Sequence, residues 1–459
     1  MKKSRFFAGF AAAAIAASMF GALPASAAGT DYTPLVVSST TDPNYSTSFD
    51  KYLVMKNTSS VPDAEFEFAV SAGAAVQASA AVDPQGEPTD PDYVPGVPAK
   101  LAVLPGVGAD NIKIYSGTDT DTTKNELVFA STDAATAESA KTTADAAVFA
   151  TAATDDEQFV KKSLTVDLSG VTFTEPGVYR YIIAESVTSG SGITNGYEGE
   201  GTAPINKRTL DVYVKDDTDA TGKKLAIEGY VLYKGEVTGA PNATRTNASA
   251  IPLQNNGAEV DGAVKSNSIT NYYGTQSITF GKEVTGNQGS KDKYFEFTVA
   301  LTNAAAGTVY TVDISNADAK SGTNSATIAD NQGQDNVTSF SVAANATGAT
   351  QKFYLQDGQY ITIYGLAVGT HYVISENAED YTSTEGITAA NNASGEAYTD
   401  DVSGDIESVD IKTGFTNDRT GAIPTGVILS IAGPAIVGIA VVGGIIFMTV
   451  KRKKEDAED

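Results

Sequence analysis

Two stretches of this 459-residue chain carry the same three functional groups in the same order. An amine, a carboxyl group and a carboxamide stand at Lys51, Glu185 and Asn271, and again at Lys282, Glu376 and Asn417. Their surroundings repeat too. F-D-K-Y-L-V leads to A-E-F-E-F-A-V over residues 64–70, and F-G-K-E-V leads to Y-F-E-F-T-V over 294–299. P-G-V-Y-R-Y-I-I-A-E ends at Glu185 and V-G-T-H-Y-V-I-S-E at Glu376, while I-T-N ends at Asn271 and F-T-N at Asn417. A lysine amine attacks a carboxamide only when it is neutral, so its pKa has to fall. Burial among aromatics such as Phe49 and Phe66, or Phe280 and Phe295, would achieve this by penalising the charge. A carboxylic acid in the same apolar site has its pKa raised, stays protonated and can donate to the carboxamide oxygen, then carry the proton as ammonia leaves.

The elements that must position these groups read as strands. The stretch S-I-T-N-Y-Y-G-T-Q-S-I-T-F-G-K-E-V, residues 268–284, holds two alternating apolar runs around a short Gly274–Thr275 turn, closing one unit and opening the next. Internal repetition of this kind is a strong fold-level signal. The first unit spans about 31–273, with expected strands at 48–55, 64–71, 111–115, 163–168, 178–184, 209–214 and 225–233. The second spans about 275–420, with strands near 277–284, 293–301, 308–313, 337–342, 351–355, 359–364, 370–376 and 407–415. Short strands at this spacing, with no convincing amphipathic helix, predict an all-β chain of tandem β-sandwiches. The first unit is lengthened by an insertion near 83–157. Its proline-dense part, 83–98, reads as a surface excursion, and its Ala/Thr/Asp-rich part, 131–157, as a short helix or a loop. A third small domain within it stays open.

Both ends carry export signals. Residues 1–28 have a charged start (Lys2, Lys3, Arg5), an apolar run from Phe6 to Leu23 and the small-residue site P-A-S-A-A, the three parts of a secretory signal peptide cleaved after Ala27 or Ala28. At the other end A-I-P-T-G, residues 422–426, precedes an unbroken apolar run, 427–450, and the basic cluster K-R-K-K opening a 451–459 tail. This reads as a transmembrane helix with its tail in the cytoplasm. The chain has no cysteine, so an exported form cannot staple itself with disulfides, and Cys/His zinc sites are excluded. Between the signal peptide and Thr425 stand 24 basic and 52 acidic side chains, a net charge of −28. Such a surface repels nucleic acid and anionic lipid. T-D-T-D at 118–121 lacks calcium-loop spacing, His371 reads as a packed or edge strand residue, and the N-x-T triplets at Asn242 and Asn345 are expected by chance. No cofactor or metal is implied.

The C-terminal end resembles the cell-wall sorting signal of Gram-positive surface proteins, in which a sortase cysteine attacks the threonine carbonyl and passes it to an amine. Here that motif is Ile423, Pro424, Thr425 and Gly426, with Pro424 directly before Thr425, closer to a V-P-T-G form than to L-P-x-T-G. The whole mature chain resembles Gram-positive pilus shaft subunits of the streptococcal major-pilin type, whose Ig-like domains each form an internal Lys–Asn isopeptide bond. The resemblance implies cross-links between Lys51 and Asn271 and between Lys282 and Asn417, with Glu185 and Glu376 as the catalytic acids. It further implies a structural role rather than an enzymatic one, beyond autocatalysis. A sortase, other copies of the chain, minor pilins and cell-wall peptidoglycan are the implied partners, with the precursor held in the membrane by its C-terminal helix. The amine that receives Thr425 would be Lys265, with Lys234 as the second choice. The rival reading is a wall-anchored adhesin that uses the same domains to bind a host or matrix ligand without polymerising.

Overall fold

The computed structural model describes residues 32–421 except 86–88, 90–98, 118–124, 144, 146–155, 190–191, 195, 197–204, 220, 243–259, 261–262, 316–337, 390–391 and 393–394. The predicted signal peptide, sorting motif, apolar helix and tail lie outside these residues, as do most of the 83–98 excursion, the T-D-T-D stretch and the start of the strand expected at 337–342. Among the described residues no helix is long and apolar enough to cross a membrane.

The described chain is all-β, four large sheets arranged as two sandwiches. In the first, one sheet runs in the order Ile193–Thr194, Ser268–Tyr273, Ser46–Lys56, Glu157–Asp167, Lys113–Ser116. The facing sheet runs Leu225–Lys234, Lys207–Asp216, Gly177–Ser189, Ala64–Ala72, Glu126–Phe129. In the second, Ser339–Ser341, Val309–Ser315, Tyr360–Ala367, Thr275–Thr285, Ile411–Asp418 and Thr382–Glu385 form one sheet, and Gly348–Leu355, Phe295–Thr302, His371–Asn377 and Ser403–Asp405 the other. Alternation drives the layers together. In Ala64–Ala72, Ala64, Phe66 and Phe68 turn inward while Glu65 and Glu67 turn out, and Phe295, Phe297, Val299 and Leu301 do the same in the second unit. Each sandwich has its own apolar core.

The two units share one continuous path at residues 268–285. Gly274 alone separates the strand ending at Tyr273 from the strand beginning at Thr275, so the expected two-residue turn is a single-residue step between sheets of different sandwiches. The step is held by Gly274 N–H donating to Gly192 O at 2.8 Å and Val368 N–H donating to Gly274 O at 3.2 Å. The Ser59 and Thr275 hydroxyls lie 2.6 Å apart, Ser60 Oγ donates to Val309 O at 2.7 Å, and Ala367 of the second unit packs into the first core.

Several strands differ from the sequence expectation for identifiable reasons. The strand expected at 163–168 begins at Glu157, because it pairs along the full length of Ser46–Lys56 even where Lys161 and Lys162 break the alternation. The strand expected at 407–415 is Ile411–Asp418, extended at its end by parallel pairing of Thr416–Asp418 with Glu283–Thr285. Part of 111–115 is a 3₁₀ turn, Ala109–Asn111, before the strand Lys113–Ser116. Within 131–157 the described residues include a two-residue strand, Thr136–Ala137, and a 3₁₀ turn, Glu138–Ala140.

Directly before the second lysine, Gly281 and Gly414 face each other in register. Ile387 fills the space their missing side chains leave: a Cβ on Gly414 would lie 2.6 Å from Ile387 Cδ1 and 2.9 Å from the Gly281 carbonyl oxygen. Gly414→Ala is therefore expected to destabilise the second sandwich by about 1–3 kcal/mol through overpacking. Calorimetry should show its transition lowered while that of the first sandwich stays in place.

Candidate functional site

Folding brings each predicted trio together inside its own sandwich. Lys51 lies on Ser46–Lys56 and Asn271 on the parallel neighbour Ser268–Tyr273, with Lys51 opposite Ile269, two residues before the asparagine. Lys282 and Asn417 repeat this offset, Lys282 standing opposite Phe415 on a parallel neighbour. Side chains two apart on a strand share a face, so this register turns the carboxamide toward the amine in both units. The glutamate comes from the opposing sheet, where Glu185 pairs with Phe68 and Glu376 with Phe297. The repeated F-x-F is thus spatially equivalent. Its first phenylalanine lies under the amine, with Lys51 Nζ 4.2 Å from the Phe66 ring centroid and Lys282 Nζ 4.5 Å from that of Phe295.

Both sites are sealed. The side chains of Lys51 and Glu185 have no solvent exposure, those of Lys282 and Glu376 at most 1%, and both asparagines none. In the first site Lys51 Nζ is 2.5 Å from Glu185 Oε2 and directly contacts Asn271 Oδ1, while Asn271 Nδ2 donates to Thr194 O at 2.8 Å. In the second, Glu376 Oε1 is 2.6 Å from Lys282 Nζ and accepts from Asn417 Nδ2 at 3.0 Å. Its other oxygen, Oε2, accepts from Ser383 Oγ at 3.0 Å. The carboxyl of Glu376 therefore bridges the Lys282 amine and the Asn417 carboxamide nitrogen, rather than facing the carboxamide oxygen. Desolvation pulls the Lys51 amine down to about 8 against the raising influence of Glu185, with Arg208 lowering it further. Desolvation likewise pulls Lys282 down to about 8 against Glu376, Asp357 and Glu283.

The other predicted residues fall elsewhere. Lys265 is partly buried beside the edge strand Leu225–Lys234, bridged to Tyr233, and Lys234 N–H donates to Val264 O at 2.8 Å, so the two candidate acceptors are neighbours outside the trio. His371 is a half-exposed strand residue whose Nδ1 lies 2.7 Å from Asp405 Oδ1. Ile423, Pro424, Thr425 and Gly426 lie outside the described residues. Thr194, Ser383 and Arg208 were not anticipated. Thr194 and Ser383 sit on short strands added beside the asparagine strand and lie outside the repeated motifs, and Arg208 lowers the Lys51 amine through its charge while its Nε donates to Ser268 O on the asparagine strand at 2.8 Å.

Residues 276–419 match a family described as a domain of unknown function (DUF7601). Over 304 residues the chain is 24% identical to a pilin from Streptococcus pyogenes serotype M1, covering 63% of this chain and 72% of that protein. The chain is similar to a Gram-positive pilin. The crystal structure of the major pilin from Streptococcus pyogenes aligns at 17% identity and TM-score 0.43, over 82% of this chain and 99% of that one. The T3.2 major pilin from Streptococcus pyogenes serotype GAS13637 aligns at 18% identity and TM-score 0.40 with the same coverage.

A chain that keeps both amines exposes their depressed pKa values in its stability. In the Asn271→Ala, Asn417→Ala double variant neither lysine meets a carboxamide. Between pH 8 and the ordinary lysine value near 10.5 each of these lysines binds more protons in the unfolded chain than in the folded one, so each contributes stability that rises with pH across that window, while the buried tyrosines, whose pKa values are raised, act in the opposite direction. The difference in urea stability between this variant and one that also carries Lys51→Met and Lys282→Met, in which the tyrosines cancel, should climb from pH 8 to pH 10 at up to about 1.4 kcal/mol per pH unit for each site. A flat profile would contradict the depressed values.

Proposed function

We propose that this chain is a structural subunit of a sortase-assembled pilus on a Gram-positive cell surface, each sandwich closing an internal Lys–Asn isopeptide bond. The observation that carries the reading is the pair of buried Lys–Glu–Asn side-chain clusters in one register. The similarity to a streptococcal pilin supports it.

Proton transfer within the buried ion pair gives a neutral amine and a carboxylic acid, the form a low-dielectric site favours. The lysine nitrogen then attacks the asparagine Cγ. The glutamate returns the proton to the carboxamide nitrogen, the Cγ–Nδ2 bond breaks and ammonia leaves, and the glutamate carboxylate takes the remaining extra proton from the lysine nitrogen, so each bond releases one ammonia and no redox partner is involved. Proximity replaces an external catalyst, because the reaction turns over once within a folded domain. The product is a neutral amide joining the first and last long strands of each sandwich. By analogy with loop closure by disulfides, each cross-link restricts the unfolded chain by about 5 kcal/mol.

Assembly uses the C-terminal end. A sortase would cleave between Thr425 and Gly426 and pass the Thr425 carbonyl to Lys265 of another copy, to a minor pilin or to peptidoglycan, with the precursor held in the membrane by 427–450 until then.

Intact mass of the ectodomain, residues 30–420, tests the internal chemistry. The expected result is a deficit of two ammonia molecules, falling to one in Glu185→Ala and to one in Glu376→Ala. A mass equal to the plain sequence would remove the autocatalytic mechanism. For assembly, Lys265→Arg in the producing cell should collapse the ladder of covalent multimers. A ladder that persists in Lys265→Arg and vanishes in Lys234→Arg would move the acceptor to the neighbouring lysine.

A further inference from the structure

The two sites are not copies of each other in how their groups are oriented. In the first, the carboxamide is tied, Asn271 Nδ2 donating to the backbone carbonyl of Thr194. Among the described residues Glu185 accepts no hydrogen bond at either carboxyl oxygen besides its ion pair with Lys51. In the second, the carboxyl is tied instead. Among the described residues Asn417 Oδ1 makes no hydrogen bond, and Glu376 is held at both ends, Oε2 by the Ser383 hydroxyl at 3.0 Å and Oε1 by the lysine and the carboxamide. Ser383 comes from Thr382–Glu385, an edge strand that pairs with the asparagine strand and sets Ser383 directly opposite Asn417. A backbone pairing therefore fixes the hydroxyl relative to the carboxamide, and the hydroxyl fixes the acid.

We propose that Ser383 is a positioning residue for the second cross-link, holding Glu376 so that one carboxyl oxygen faces both the attacking amine and the departing nitrogen. This rests on the isopeptide reading above. A carboxyl group turns about its terminal torsion with little preference, so an acid tied at only one oxygen spends part of its time turned away from the amine. The serine removes that freedom at the cost of one exposed hydroxyl. In the first sandwich the Thr194 carbonyl does the orienting from the asparagine side, so Ser383 acts on one bond only.

The test follows bond formation in the full chain during cell-free synthesis, with samples quenched in acid and digested. The 51–271 and 282–417 cross-linked peptides are quantified separately. Ser383→Val and Ser383→Thr have nearly the same shape and strand preference and differ by the hydroxyl. In Ser383→Val the 282–417 bond should form about tenfold more slowly, the loss of one hydrogen bond to an ionisable group, with the 51–271 bond unchanged. Ser383→Thr should restore the original rate. The melting temperature of fully cross-linked Ser383→Val should match that of the unsubstituted chain, which separates orientation from a purely structural contribution. Equal 282–417 rates in the Val and Thr variants would overturn the proposal and leave the isopeptide reading intact. Slowing of both bonds together in Ser383→Val would also overturn it, because a general folding defect would then be responsible. Absence of the 282–417 peptide from the unsubstituted chain would overturn the isopeptide reading at that site and this proposal with it.

Discussion

A lysine amine enclosed between two β-sheets, out of reach of water, is the constraint on which the rest of each sandwich depends. Removing a charge from water costs several kcal/mol even after the protein relaxes, and one hydrogen-bonded partner seldom recovers all of it. The fold surrounds the amine with what reduces that cost: a phenylalanine face at Phe66 or Phe295, a carboxyl group from the opposing sheet, and a carboxamide from the parallel neighbour. Burial holds the amine at a pKa of about 8 despite the raising influence of the carboxyl group, and a neutral fraction therefore exists under ordinary conditions. Under the proposed chemistry, the stress that burial creates is relieved by the reaction it promotes, because an amide carries no charge. The parallel register matters for the same reason. Placing the asparagine two residues beyond the lysine's partner puts both side chains on the inner face, and a one-residue slip would turn one of them outward.

The one-residue step at Gly274 joins the two sites. Asn271 and Lys282 are separated by a strand end, a glycine and a strand start, all hydrogen-bonded into their sheets. With both bonds formed, covalent structure would run from Lys51 to Asn271, along the backbone to Lys282, and across to Asn417 beside the end of the described chain. Tension applied along that path would meet no long hydrogen-bonded ladder that must hold alone. A chain without cysteine has no disulfide to serve this purpose.

Much of this was legible in the residues. The Lys, Glu and Asn positions could be read because the chain contains them twice, and because F-x-F, the tyrosine-containing strand before each glutamate and x-T-N give every member a repeated setting. Alternation placed most strands, since inward and outward positions on a half-buried strand differ in polarity. It failed where pairing outweighed polarity, as at Glu157–Val160, where a strand is maintained by a long partner, and at Thr416–Asp418, where a polar end is held by parallel pairing. The short additions at 193–194 and 382–385 left no signal, because two to four residues on a sheet edge carry no period to recognise.

That last difference has a chemical reason. A reaction that turns over once per molecule places strong demands on the groups that exchange protons and bonds, and weak demands on how they are oriented. The amine, acid and carboxamide have to be these types and have to be buried, so they recur in both units with their aromatic floor. Orientation can be supplied by any donor or acceptor that the local edge strand brings within reach, a backbone carbonyl at Thr194 in one case and a hydroxyl at Ser383 in the other. Under the proposed chemistry the orienting contacts can therefore differ between the two sandwiches, and only three-dimensional geometry reveals them. Repetition within the sequence would then mark what the reaction requires, while the residues found only in the structure would tune how fast it proceeds.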